Sequence, residues 1–129
     1  MSSEKTATIR KIVQQDGRYK RGAYYFIFDA LDWTITRMQK VRHVTGTELL
    51  GGIREYAVDH FGFLARTVLA EWGVTCTGDF GEIVFNLVDA GLLSRTENDT
   101  RADFVDVYDF DAAFQLEFRR SLESVTLKN

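Results

Sequence analysis

A chain of 129 residues, 45% apolar and carrying ten phenylalanines, five tyrosines and two tryptophans, is long enough to bury roughly two-thirds of its unfolded surface. One domain packed with rings is expected, without a staple. The net charge of −3 conceals a sign split, with ten Lys/Arg and seven Asp/Glu in residues 1–60 against six and twelve in residues 61–129. Such asymmetry can make opposed patches that pair within the fold or steer two partners. The lone cysteine, Cys76, excludes an intrachain disulfide and fits a reducing compartment. No leading apolar run marks secretion and no apolar segment of about twenty residues marks a membrane span, so a cytoplasmic protein with no membrane partner is expected.

The first eight residues, MSSEKTAT, are small and polar and should fray. Ile9, Ile12 and Val13 have the three-and-four spacing of a short helix, and Asp16-Gly17 can stop it. The longest periodic segment is 21–40, where Tyr24, Ile27, Phe28, Leu31, Ile35 and Met38 form a stripe widened by Tyr25, Phe26, Ala30 and Trp33. With the basic connector Lys40-Val41-Arg42-His43-Val44, residues 9–44 read as an N-terminal helical extension. Thr45 and Glu48 then have capping-box spacing, which starts a third helix near Gly46. Its core face is Leu49, Leu50, Ile53, Tyr56, Ala57 and Phe61, closed by Gly62. A shorter helix from about 63 to 72 puts Leu64, Val68 and Trp72 on one side and stops at Gly73.

Residues 77–110 organise the rest. Thr77 can serve as N-cap, with Asp79 and Glu82 near the positive end of the helix dipole. Ile83, Leu87 and Ala90, widened by Phe80, Val84 and Val88, make this helix apolar over most of its circumference; Gly91 ends it and Leu92 can fold back. The period then changes from helical to two. LLSRT predicts a short strand, Glu97-Asn98-Asp99-Thr100 a turn, and 104–110 a return strand with Phe104, Tyr108 and Phe110 on one face and Val105 and Val107 on the other. Three helices followed by a β-hairpin predict an α+β, mainly α fold with a winged-helix-like core over 45–110. Asp111 caps a closing helix through Ala113, Phe114, Leu116, Phe118 and Leu122, so 111–129 is a C-terminal helix with a frayed tail.

The segments DGRYKRGAYYFIFDALDWT (16–34), RHVTGTELLGGIREYAVDHFG (42–62), ARTVLAEWGV (65–74) and DFGEIVFNLVDAGLLSRTENDTRADF (79–104) resemble small conserved bacterial proteins of planctomycete and verrucomicrobial type. The resemblance spans nearly the whole chain. It implies a bacterial cytoplasmic protein and one compact domain, and it carries over no activity, ligand or catalytic residue.

The chemistry-bearing residues are sparse. His43, His60 and Cys76 cannot make a Cys/His zinc site within one chain, and His60 reads as a cation near a helix end. The acids Glu97, Asp99, Asp103, Asp106, Asp109 and Asp111 lack the alternate-residue ladder of a calcium loop, so a solvated wing and a helix cap account for them. Gly46, Gly51 and Gly52 lack the strand and lysine of a phosphate loop, and no nucleophile motif is present. No catalytic residue, cofactor or metal is expected.

A DNA reader would place basic residues on the third core helix and on the wing, because phosphate neutralisation supplies much of the affinity. That helix offers Asp79, Glu82, Asn86 and Asp89 instead, and Arg95 and Arg101 sit among acids. Cations gather earlier, in a candidate basic patch of Arg18, Lys20, Arg21, Arg37, Lys40, Arg42 and His43, interleaved with Tyr19 and Tyr24. The opposing candidate surface is an acidic wing of Glu97, Asp99, Asp103 and Asp106. The reading is a non-enzymatic protein-interaction module whose two faces meet different protein surfaces, or each other in a homo-oligomer. The alternative is a nucleic-acid-binding or regulatory protein that uses the basic patch, which requires those cations to converge.

Overall fold

The computed structural model describes residues 3–39, 44–94 and 99–128. Among them the regular elements are all helical: α1 (Ser3–Gln15), α2 (Arg21–Met38), α3 (Gly46–Phe61), α4 (Ala65–Glu71), α5 (Thr77–Asp89) and α6 (Phe110–Lys128). Single 3-10 turns at Gly62–Leu64 and Arg101–Phe104 precede α4 and α6.

Helix ends follow local chemistry. Thr45 Oγ1 accepts from the Glu48 N–H at 3.1 Å while Glu48 Oε1 accepts from the Thr45 N–H at 2.9 Å, the reciprocal box that the spacing predicts. At the end of α5 the Leu92 N–H reaches the Leu87 carbonyl at 2.9 Å and the Gly91 N–H the Val88 carbonyl at 3.0 Å, with Gly91 at φ 78°. This paired closure satisfies carbonyls that the helix leaves open. Three starts differ from expectation, α6 among them, since it begins at Phe110 with Asp109, not Asp111, accepting from its first turn. α1 begins at Ser3, so residues 3–8 are helical rather than frayed. α5 is capped from Cys76, and Asp79 Oδ2 accepts from the N–H groups of Thr75 at 2.9 Å and Cys76 at 3.3 Å.

α2 and α3 form the centre. A Cβ on Gly52 would overlap the Thr34 hydroxyl, so only glycine lets the two helices meet there. Thr34, buried at that crossing, donates to its own Ala30 carbonyl at 2.7 Å. α5 packs against both helices, α1 covers α2 through Ile9 and Ile12, and α6 lies across α3 and α4. Tyr24, Ile27, Leu50, Ile53, Leu69, Phe80, Ile83 and Leu87 are wholly enclosed, each worth about 1.5–3 kcal/mol if an aliphatic or Phe-sized side chain.

The winged-helix expectation is overturned, because no strand occurs among the described residues. Leu92 and Leu93 follow α5 as a bend packed on the core, and residues 95–98, which hold the end of the expected first strand and the first half of the expected turn at 97–100, lie outside the described residues. The expected return strand, 104–110, is instead the last residue of the 3-10 turn Arg101–Phe104, a tight reversal with Asp106 at φ 51°, and the first residue of α6. Its inward and outward alternation is real: Phe104 and Phe110 are buried and Tyr108 half-buried, while Val105 and Val107 are exposed. The N–H groups nevertheless find no neighbouring strand. Val105 donates to the Ala102 carbonyl at 3.2 Å, and Val107 donates to Thr77 Oγ1 at 3.1 Å, the hydroxyl that otherwise would have capped α5. Phe104 acts as a plug. A Cβ on Gly81 would come within 2.7 Å of Phe104 Cβ, and one on Gly46 within 3.0 Å of its ring, so two glycines make the slot it fills.

Candidate functional site

Among the described residues the candidate basic patch forms no single surface, because Arg37 stands at the far end of α2 from Arg18, Lys20 and Arg21. Arg18 donates to both oxygens of Asp16, at 2.9 and 2.7 Å, and lies 3.8 Å from Glu82. Lys20 pairs with Glu71 at 3.5 Å and Arg37 with Glu55 at 3.3 Å. Arg21 and Arg37 stand at opposite ends of α2, about 24 Å apart at the helical rise. Lys40, Arg42 and His43 lie outside the described residues. Exposed pairs of this kind contribute little stability, but they neutralise the surface locally.

The acidic surface is likewise divided. Asp103 Oδ2 accepts from the Thr100 N–H at 2.8 Å and thereby closes the 3-10 turn. Asp99 is half-buried, Asp106 is exposed on the tight reversal, and Glu97 lies outside the described residues. Asp109 caps α6 by accepting from the Ala112 N–H at 3.0 Å. Among the described residues no cluster of His, Cys, Asp or Glu could hold a metal ion. His60 stacks on Tyr56 with ring centroids 4.8 Å apart at the exposed end of α3.

The most connected polar cluster joins the α1–α2 loop to α5. Asn86 Nδ2 donates to Asp16 Oδ2 at 3.0 Å and to the buried Tyr24 hydroxyl at 3.1 Å. The Tyr19 hydroxyl donates to Asp79 Oδ1 at 2.6 Å, and the Lys20 N–H to the Trp72 carbonyl at 3.0 Å. The Arg18 hydrogen bonds hold the Asp16 carboxyl well below the ordinary carboxylate range. Burial pushes Asp79 up, but the Thr75 N–H, the Tyr19 hydroxyl and Cys76 outweigh it and leave the group below its usual value. Burial and then the Asp79 hydrogen bond raise Tyr19. Arg101 adds a bond to Glu82 at 2.9 Å. Each of these groups is spent on its neighbours, which makes the cluster a fastening.

A less satisfied surface lies between α4 and α6. The turn Gly62–Leu64 and α4 face α6 across a groove of about 230 Å³ lined by Gly62, Phe63, Arg66, Thr67, Phe110, Asp111, Phe114, Gln115 and Phe118. Phe63 is 76% exposed and Leu64 48%, although the helical spacing placed Leu64 on a buried side. The 3-10 turn breaks the helical phase after Gly62, at φ 57°, and α4 buries Ala65 and Leu69 instead. The Phe63 ring meets only the edge of Phe118, with centroids 6.1 Å apart. Arg66 Nε and Asp111 Oδ1 close the rim at 2.7 Å, both well exposed. Sequence periodicity missed this site. Its one signal is two large apolar residues directly after a helix-ending glycine.

The class so defined is a domain all-helical among its described residues, with a polar fastening between the α1–α2 loop and α5 and an open apolar groove between α4 and α6. No family model, curated protein or solved structure matches the chain. No helix among the described residues is long and apolar enough to cross a membrane.

Proposed function

We propose that this chain is a non-enzymatic protein-interaction module that works through the groove between the 62–67 segment and α6. The observation that supports it is the exposure of Phe63 and Leu64 beside a groove already lined by Phe114 and Phe118. Adjacent exposed apolar side chains with a polar rim are the composition of an association surface, since their burial is favourable only when another molecule covers them. The polar residues that cluster, from Asp16 to Asn86, serve the fold. A photocrosslinking amino acid in place of Phe63 is expected to give a covalent protein adduct in cells, and the same group in place of exposed Lys11 on α1 none. Equal or absent adducts from both positions would sink the reading.

A second reading rests on a different observation. Lys20, Arg21, Tyr25 and Trp72 line an open depression at the start of α2, combining cations with rings as single-stranded nucleic acid requires. Its test is an oligonucleotide titration at low and high salt. Absence of low-salt binding, or a salt-insensitive constant, removes it.

A further inference from the structure

We propose that the depression at the start of α2 is a binding site for a single nucleotide, a phosphate joined to an aromatic base. It shares no lining residue with the groove of the interaction reading, and it narrows the nucleic-acid reading of the same depression to one nucleotide unit. Its volume is about 610 Å³, within the size class of small-molecule sites. Val13 of α1, Lys20, Arg21, Gly22 and Tyr25 at the start of α2, and Trp72 at the end of α4 line it.

The polar lining donates and scarcely accepts. An ammonium, a guanidinium and an indole N–H are donors only, and the Tyr25 hydroxyl alone can do both. Among the described residues Arg21 meets no acid, Tyr25 has no ring or hydrogen-bond partner, and Trp72 Nε1 has no acceptor. Lys20 is engaged only by Glu71, at 3.5 Å, in a pair exposed on both sides and therefore weak. The complement of such a lining is an oxyanion, and a phosphate monoester brings acceptor oxygens and negative charge to both cations. Gly22 admits the indole N–H, since a Cβ there would overlap Trp72 Nε1. Phe26 and Phe61 hold the indole, each with its ring centroid 5.8 Å away, so Trp72 contributes its N–H edge. Tyr25, with no ring against it, is left to stack a base. A bare phosphate would leave that ring uncovered. A strand would bring further phosphates, and Lys20 and Arg21 are the only cations in the lining.

The test is isothermal titration calorimetry of the purified chain with adenosine monophosphate, set beside inorganic phosphate, adenosine and a single-stranded oligonucleotide. Adenosine monophosphate is expected to saturate one site, at least tenfold tighter than phosphate or adenosine and more weakly as salt rises. Arg21→Ala should weaken it about tenfold, the scale of one hydrogen bond to a charged group. Tyr25→Leu should reduce its affinity to that of inorganic phosphate with an unchanged circular dichroism spectrum. Arg120→Ala, which removes the same charge from exposed α6 surface, should bind as the wild type does. No saturable binding, binding matched by phosphate or by adenosine, or an Arg21→Ala or folded Tyr25→Leu chain that titrates like the wild type overturns the proposal. An oligonucleotide that binds where the mononucleotide does not removes the single-nucleotide site and leaves the strand reading standing. Binding of neither removes both.

Discussion

The fastening between the α1–α2 loop and α5 and the groove between α4 and α6 are built from similar side chains put to opposite use. On the first side Tyr19, Tyr24 and Trp72 pack inward, and the polar atoms around them meet in Asp16, Asp79 and Asn86. On the second, Phe63 and Leu64 remain in solvent, with only Arg66 and Asp111 joined across the rim. Two phenylalanines condense the contrast, since Phe104 is 2% exposed and Phe63 is 76%. A side chain's type therefore says little here about its work; whether its surroundings are already satisfied says more.

Substitutions can break or sharpen this contrast. The largest effect is expected at Phe104→Ala, which empties the slot formed by Gly46 and Gly81 and should cost about 3–5 kcal/mol in urea unfolding. Next, Asn86→Ala leaves the buried Tyr24 hydroxyl without its donor and loosens Asp16, for about 1–3 kcal/mol by the same measurement. Acid should then separate the two sides. Asp16 and Asp79 stay ionised in the folded chain below the pH at which the unfolded chain protonates, near 3.9 for aspartate. The unfolded state therefore binds protons first, and stability present above about pH 4 is lost as pH falls below it. Urea midpoints measured from neutral to acid pH should show this decline, and Asp16→Asn should be less stable at neutral pH with a flatter acid limb. The smallest effect is expected at Phe63→Asp, within about 0.5 kcal/mol of wild type. A cost there comparable to that at Phe104 would erase the distinction between the two sides.

What could be read from the sequence was local. The Thr45–Glu48 box, the Gly91 stop and most of the core faces of α3 and α5 depend on residues a few positions apart, and the structure has them. The expected stripe of α2 is displaced, because Tyr24 and Ile27 are buried with Ala23, Phe26, Ala30 and Thr34 while Met38 is exposed. The hairpin was misread because an alternating inward and outward pattern fits a loop laid over two helices as well as a strand. What distinguishes them is the destination of the N–H groups, and for Val107 that is a hydroxyl thirty positions earlier. The site was harder still. Helical periodicity places Leu64 inward, and only the 3-10 turn after Gly62 rotates it out. The charge split was visible, but its consequence was not, because Lys20 and Arg37 each meet an acid brought close by the fold, while Arg18 is taken up by Asp16 two positions before it.

The plug also sets an order of events. Its slot has one wall on α3 and the other on α5, so the slot does not exist until those helices, separated by α4, have docked. Phe104 then enters a site that earlier steps have made, and its contacts belong to the descent from the folding barrier rather than the climb. Its loss should accelerate unfolding in stopped-flow denaturant jumps and leave the refolding rate nearly unchanged. A residue on which the folded state leans thus governs how long the chain stays folded, with little say in how fast it gets there.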